Sequence, residues 1–166
     1  MTANGGHETV WLDEDEQRSW RALLMGMTLL LDRLDDDLHR ACDLSLTEYE
    51  ILVRLSESEG RQMRMAQLAA ALAHSRSRVT HTITRMERAG LVVRTSSPDD
   101  GRGVIASMTD QGYDLLVRVA PLHVDGVRQH LVDLVSREDF RAVGRVMDAV
   151  ADHLVARHPE MEMRSP

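Results

Sequence analysis

The stretch "HSRSRVTHTITRMERAGLVVR", residues 74–94, decides the fold because a helical pattern changes within it to a strand pattern. Three apolar side chains recur at steps of three and four, the spacing of one buried helix face: Val79, Ile83 and Met86. Ser75 is a good N-cap for a helix over residues 76–89, and Gly90 is a good C-terminal stop. The stretch therefore predicts a short amphipathic helix followed at once by a β-strand.

Two more short helices are predicted before this one. The Ala-rich segment "MAQLAAAL" at 65–72 is separated from it by a turn of about three residues, "AHS". Further upstream, Thr47 and Glu50 have capping-box spacing, and Gly60 ends the helix that they begin. Three short helices with a tight turn between the last two are typical of a helix-turn-helix.

The segments "LVVRT" and "VIASM" follow, and their β-branched residues predict a hairpin around the loop "SSPDDGRG". A long helix precedes the module from about Asp13 to Arg40, and two more follow, starting near Thr109 and Ser136. Pro121 lies inside the first of these two, where we expect a kink or a break. The apolar stripes of these outer helices need a partner, and a second copy of the chain is the simplest one.

The predicted fold class is mainly α, a winged helix-turn-helix with a small β-hairpin wing and an added helical dimerisation region. The predicted parts are an N-terminal dimerisation helix at 11–44, a winged helix-turn-helix domain at 45–108 and C-terminal dimerisation helices at 109–157. A chain of 166 residues is long enough for this arrangement.

The charge pattern indicates DNA binding. The chain has a net charge of -7 and no lysine, yet between residues 75 and 102 six arginines face three acids. That segment is +3 and leaves -10 for the rest of the chain. On a helix at about 100° per residue, the side opposite the apolar face is basic and bears no acid: Ser77, His81, Thr84, Arg85 and Arg88, with Arg78 on its flank. The alternative is a solvated face, but such faces normally mix charges of both signs.

Several of these residues are candidate DNA contacts: Ser75, Arg76, Ser77, Arg78, Thr80, His81 and Arg85. Arg78 and Arg85 could read guanine, whereas Arg88 and Arg94 could equally well read a base or touch only phosphate or solvent. In the wing loop, Asp100 could hold Arg102 in position for a narrow minor groove. A plain turn with a solvent-exposed arginine is the alternative reading there.

The chain resembles the MarR family of winged helix-turn-helix repressors over about residues 11–155. The matching segments are "LSLTEYEILVRLSE", "MAQLAAALAHSRSRVTHTITRMERAGLVVR" and "SSPDDGRGVIASMTDQG" with the long helices after it. The resemblance implies a cytoplasmic homodimer on pseudo-palindromic double-stranded DNA, with helix 76–89 in the major groove and Arg102 in the minor groove. It implies dimerisation through the N-terminal and last two helices. His81 stands where some members carry a base-reading arginine, which implies a different sequence preference.

Family members often bind small aromatic acids between the dimerisation helices and the DNA-binding lobe. Trp20 and His123 are therefore candidate ligand-binding residues, with core packing as the alternative for both. Some relatives sense oxidants through one cysteine, but Cys42 follows the first helix and adjoins Asp43, which raises a thiol pKa. We interpret Cys42 as structural.

Other functions find little support in the sequence. There is no apolar run of membrane-spanning length and no export signal, so a cytoplasmic location is predicted. The eight histidines form no metal-ligand spacing, no catalytic motif is present, and no cofactor or enzymatic activity is expected. The two rivals to a DNA-binding regulator are a winged-helix module that binds only protein, and a helical protein that binds or converts a small molecule.

Overall fold

The structure is a computed structural model that describes residues 8–97 and 103–155. The helices are α1 (Glu14–Cys42), α2 (Leu46–Glu57), α3 (Met65–Ala71), α4 (Arg76–Arg88), α5 (Asp110–His130) and α6 (Arg137–Val155). The strands are β1 (Gln62–Arg64), β2 (Val92–Ser96) and β3 (Val104–Met108). The predicted fold class is confirmed, since a helix-turn-helix and a β-hairpin lie between long outer helices.

Helix α1 begins with a capping box formed by two residues of its acidic start, Asp13 and Glu16. The Glu16 backbone N–H donates to Asp13 Oδ1 at 2.8 Å, and the Asp13 backbone N–H donates to Glu16 Oε2 at 2.9 Å. Only the C-terminal half of the helix reaches the core, where Leu34 and Leu38 are buried. The N-terminal half of its apolar stripe is exposed in the single chain.

The N-cap of α2 lies two residues earlier than predicted. The capping box is formed by Ser45 and Glu48, so the prediction of Thr47 and Glu50 is wrong. Both pairs have the same spacing in sequence, and local pattern alone does not separate them. The tertiary partner of Glu48, described below, explains why the earlier pair forms the cap.

The strands make one antiparallel sheet in the order β1-β3-β2. The predicted hairpin is confirmed, with Val92 opposite Met108 and Ser96 opposite Val104. Strand β1 was not predicted, because three residues flanked by helices give too short a pattern to recognise. It pairs Met63 with Ala106 and so attaches the base of the hairpin to the start of α3.

Helix α5 runs unbroken from Asp110 to His130 with Pro121 inside it. Of the two alternatives expected at this proline, the break is wrong and the kink stays a prediction. One missing backbone N–H does not interrupt a helix that packs along both α1 and α2. Near the start of α5, Gly112 lies so close to the connection between α4 and β2 that a Cβ there would overlap the carbonyl oxygen of Leu91. This glycine allows α5 to dock on the winged module.

One hydrophobic core joins α1 and α5 to the winged module. It contains Leu38 near the end of α1, Leu44 between α1 and α2, the inner faces of α2, α3 and α4, the strand residues Val92 and Ala106, and Leu116 of α5. The core crosses both predicted boundaries, near residues 44 and 108, and the three-part division of the chain stays a prediction. Within residues 8–97 and 103–155, none of the helices combines the length and apolar character that a membrane crossing requires.

Two apolar faces remain uncovered in the single chain. One lies on the N-terminal half of α1: Trp20, Leu23, Leu24, Met27 and Leu31. The other lies on α6: Phe140, Val143, Val146, Val150 and Leu154. We call them the α1 face and the α6 face. Exposed apolar surface of this extent on two helices is typical of an association site.

Candidate nucleic-acid interface

Helices α3 and α4 are joined by a tight turn. Ala73 adopts a left-handed conformation with φ of 50°, and the His74 backbone N–H donates to the Ala69 carbonyl at 3.0 Å. Ser75 is the N-cap of α4, and its Oγ accepts the Arg78 backbone N–H at 3.3 Å. The turn and the cap that were predicted for a helix-turn-helix are confirmed.

The inner and outer faces of α4 are those predicted from the sequence. Val79, Ile83 and Met86 have no exposed surface. The outer face is solvent-exposed and carries Arg76, Ser77, Arg78, Thr80, His81, Arg85 and Arg88. Among the described residues, no carboxylate lies within salt-bridge distance of the guanidinium groups of Arg76, Arg78 and Arg88. These three cations face solvent with their donors available.

The threonine hydroxyls of α4 donate hydrogen bonds to backbone carbonyls of the same helix. Thr80 donates to the Arg76 carbonyl at 2.8 Å, Thr82 to Arg78 at 3.1 Å and Thr84 to Thr80 at 2.8 Å. In the structure, the hydroxyls of these three threonines are thus bonded to the backbone of α4, and the DNA contact expected of Thr80 stays a prediction. A threonine within a helix readily forms this bond to the carbonyl four residues back.

Arg85 is not in the acid-free setting that the sequence indicated. Its Nε donates to Glu48 Oε1 at 2.6 Å, and its Nη2 donates to Ser45 Oγ at 2.9 Å. The hydrogen bond to Glu48 is the largest of the effects that raise the pKa of Arg85. The acid comes from α2, 37 positions away, so a helical wheel of α4 alone does not reveal it.

Arg94 on β2 is bound to α4, a contact within the chain that neither of its two alternatives, a base contact or only phosphate and solvent, included. Its Nε and Nη2 donate to Glu87 Oε2 at 3.1 and 2.6 Å. Its backbone N–H donates to Glu87 Oε1 at 3.1 Å. The side-chain hydrogen bond from Arg94 is the main cause that holds the pKa of the Glu87 carboxyl below its usual value, and the backbone hydrogen bond from Arg94 adds to it. The base of the wing and α4 are thus tied together by three hydrogen bonds.

The predicted wing contacts Asp100 and Arg102 lie outside the described residues. The two strands that lead to them are described, and the Ser97 backbone N–H donates to the Gly103 carbonyl at 2.8 Å. The minor-groove assignment of Arg102 stays a prediction.

The two candidate ligand residues are not brought together within one chain. His123 of α5 stacks on Tyr49 of α2 with ring centroids 4.4 Å apart, and burial lowers its pKa. It lines a cleft of about 400 Å3 between α2, α3 and α5, together with Tyr49, Glu50, Val53, Arg54, Glu57, Ala71 and Leu72. Trp20 is half-exposed on the α1 face and is not part of that lining. Sequence reasoning missed Tyr49, because a single aromatic on a helix gives no sign of what it stacks on.

The thiol of Cys42 donates to the Leu38 carbonyl at 3.1 Å. Burial is the main cause that raises its pKa, and Asp43 adds to the effect as expected. A thiol in this state is a weak nucleophile. Within residues 8–97 and 103–155, no group of histidine, cysteine and carboxylate side chains is placed to hold a metal ion.

A basic helix projecting from a helix-turn-helix, with a wing tied beside it, defines a winged helix-turn-helix regulator. Residues 43–103 match the sequence profile of the MarR family. The chain is 30% identical over 133 residues to the HTH-type transcriptional regulator PecS of Dickeya dadantii (strain 3937), covering 80% of each chain. It belongs to the MarR family of transcriptional regulators, a family of regulators rather than of enzymes.

Two solved structures are similar over nearly the whole chain. AbsC, a MarR family transcriptional regulator from Streptomyces coelicolor, is 44% identical with a TM-score of 0.84, covering 89% of this chain and 99% of AbsC. Sco3205, a MarR family transcriptional regulator from the same organism solved in complex with DNA, is 41% identical with a TM-score of 0.86. That similarity covers 90% of this chain and 93% of Sco3205.

Proposed function

We propose that this protein is a cytoplasmic homodimeric repressor that binds a pseudo-palindromic DNA operator through α4 and the wing. The observation that carries the proposal is a row of three exposed arginines on α4, Arg76, Arg78 and Arg88, with no carboxylate of the described residues within salt-bridge distance. Guanidinium groups free of carboxylates bind phosphates and guanine edges without first losing an ion pair. The DNA complex of the similar protein Sco3205 supports the same use of this fold.

The homodimer is supported by the α1 and α6 faces. Ten apolar side chains on these two faces are at least 36% exposed in the single chain. Burial of such surface against a second copy contributes a favourable term of about 25 cal/mol for each Å2, which has to exceed the entropy lost on association. A two-fold dimer places its recognition helices about one turn of DNA apart, ~34 Å, which is why a pseudo-palindrome is proposed.

The proposed effector is a small aromatic or acidic molecule held in the cleft beside His123. Tyr49 and His123 offer ring faces there, and Arg54 offers a cation. His123 Nδ1 is buried without a hydrogen-bond partner among the described residues, so it is placed to bond an incoming polar group. Trp20 remains a candidate only where a second copy brings it to this cleft.

The decisive experiment is selection of bound duplexes from a random pool, followed by binding of the recovered duplex over a series of salt concentrations. A two-fold symmetric motif is expected, with affinity that falls steeply with salt at about 0.9 in log-log slope for each phosphate contact. Recovery of no motif together with a flat salt response would support the rival module that binds only protein.

A matched pair of variants locates the interface. Arg78→Ala removes an unpaired cation from α4 and should weaken binding. Arg40→Ala removes an exposed arginine of α1, which is paired with Asp36 at 2.7 Å, and should leave binding unchanged. Equal effects of the two variants would place the DNA contact elsewhere on the molecule.

A further inference from the structure

Glu48 is an unusually buried carboxylate for the first turn of a helix. Its side chain is 5% exposed. Glu48 Oε2 accepts the Ser45 backbone N–H at 2.9 Å and the Ser45 hydroxyl at 3.0 Å, which completes the capping box of α2. A cap needs no more than this, and it does not require burial. A buried carboxylate is costly unless a cation pairs with it, and Arg85 supplies that cation at 2.6 Å.

Arg85 is bound along one edge of its guanidinium. Nε donates to Glu48 and Nη2 donates to the Ser45 hydroxyl, so both bonds end on the same cap. This is the two-donor edge that an arginine needs for a side-on bidentate contact with a base. A planar fork held at two points also fixes the direction of the side chain, and with it the rotation of α4 against α2.

The network continues to the long helix α1. The backbone N–H of Leu46, the first residue of α2, donates to Asp35 Oδ1 at 2.7 Å. Asp35 lies in the part of α1 that adjoins the core, on the same helix as the exposed α1 face. Hydrogen bonds thus run from α1, through the cap of α2, to the middle of α4.

We infer that Arg85 is a positioning residue, which acts through Glu48 and Ser45 to fix the orientation of the recognition helix relative to α1. It orients the reading face instead of reading a base itself. The inference rests on the proposed function, because its effect appears as discrimination between DNA sequences. In a dimer built on α1, the same bonds also fix each recognition helix relative to its two-fold mate.

The test uses two duplexes of equal length, the one recovered from a random pool and one of random sequence. Arg85→Lys keeps the charge but loses the fork, and Glu48→Gln keeps the shape but loses the charge. Each should lower the affinity ratio between the two duplexes about tenfold, with the salt dependence unchanged. The double variant should lose much less than the product of the single losses, because both changes break one network.

A direct DNA contact by Arg85 gives the opposite pattern and would overturn the inference. Glu48→Gln would then free the guanidinium, remove a nearby negative charge and strengthen binding to both duplexes. Arg85→Lys would keep most of the affinity as a phosphate contact, and Arg85→Ala would reduce the salt slope by about 0.9.

A measurement without DNA keeps the two proposals separate. The Nε–H proton of Arg85 should exchange slowly in the NMR spectrum of the full chain and become fast in Glu48→Gln. Fast exchange in the wild-type chain would overturn the inference whatever the protein binds. Slow exchange in a chain that binds no duplex would overturn the DNA-binding proposal and this inference with it. If Glu48→Gln does not fold, Ser45→Ala removes the Nη2 partner together with the hydroxyl that caps α2, leaves the Glu48 carboxylate in place, and serves for the same comparison of Arg85 exchange.

Discussion

Replacing Arg78 by alanine gives a clean measure of what the exposed face of α4 contributes. The Arg78 guanidinium is exposed and has no ion pair among the described residues, so its removal leaves no buried charge behind. The cap of α4 survives, because Ser75 Oγ accepts the backbone N–H of residue 78 rather than its side chain. We therefore expect the free energy of unfolding to change by less than ~0.5 kcal/mol.

The expected loss is in binding. If Arg78 reads a base, its removal should cost about 1–3 kcal/mol on the selected duplex, or roughly 5- to 150-fold in Kd. Fluorescence anisotropy of a labelled duplex over a salt series measures this loss. On a random duplex the loss should be much smaller. Equal losses on both duplexes, with a salt slope reduced by about 0.9, would make Arg78 a phosphate contact. No loss on either duplex would refute the assignment of this face.

A second readout tests the position of Arg78 without DNA. Burial raises the pKa of Glu50 above its usual value, while the cations of Arg54 and Arg78 act in the opposite direction. Removing Arg78 should therefore raise the pKa of Glu50 further, which an NMR titration of the side-chain carboxyl detects. An unchanged titration would mean that the Arg78 guanidinium does not lie near α2 in solution.

Three further predictions concern stability and assembly. Gly112→Ala should lower the free energy of unfolding by about 1–3 kcal/mol in urea melts, because a Cβ would overlap the Leu91 carbonyl; a variant as stable as wild type would contradict that close approach. Burial lowers the pKa of His123, so the unfolded chain binds more protons below its histidine pKa of ~6.5, and stability should fall as pH drops through that value. Urea melts at successive pH values should show that the free energy of unfolding of His123→Phe declines less steeply than that of the wild type. Parallel curves for the two proteins would contradict this role of His123. Val146→Asp on the α6 face should yield monomers in sedimentation experiments. The control Val93→Asp on β2, a side chain exposed to a similar degree, should keep the wild-type mass. Monomers from both variants or from neither would argue against an α6 interface.

The sequence was sufficient for those features that local chemistry determines. The buried face of α4 follows from the spacing of Val79, Ile83 and Met86, and its start follows from Ser75 as a cap. The hairpin follows from β-branched residues on either side of a loop rich in glycine and aspartate. In each case the residues that form the element also carry the pattern.

The features that sequence reasoning missed depend on contacts between distant segments. The cap of α2 lies at Ser45 because Glu48 pairs with Arg85, and no local pattern distinguishes it from Thr47 with Glu50. Strand β1 exists because β3 offers it a partner 41 to 45 positions away. The roles of single arginines were the least predictable, since a long side chain reaches whatever acid the fold places beside it.

The three bonds between Glu87 and Arg94 have a consequence for how an operator is recognised. They hold strand β2, which leads into the wing, against α4, the helix proposed for the major groove. A wing held at its base adjusts less to the width of a duplex, so more of the adjustment has to come from the duplex. Flexible pyrimidine–purine steps would then be favoured at positions that no side chain touches. Part of the sequence preference of this regulator would then come from how easily its DNA bends.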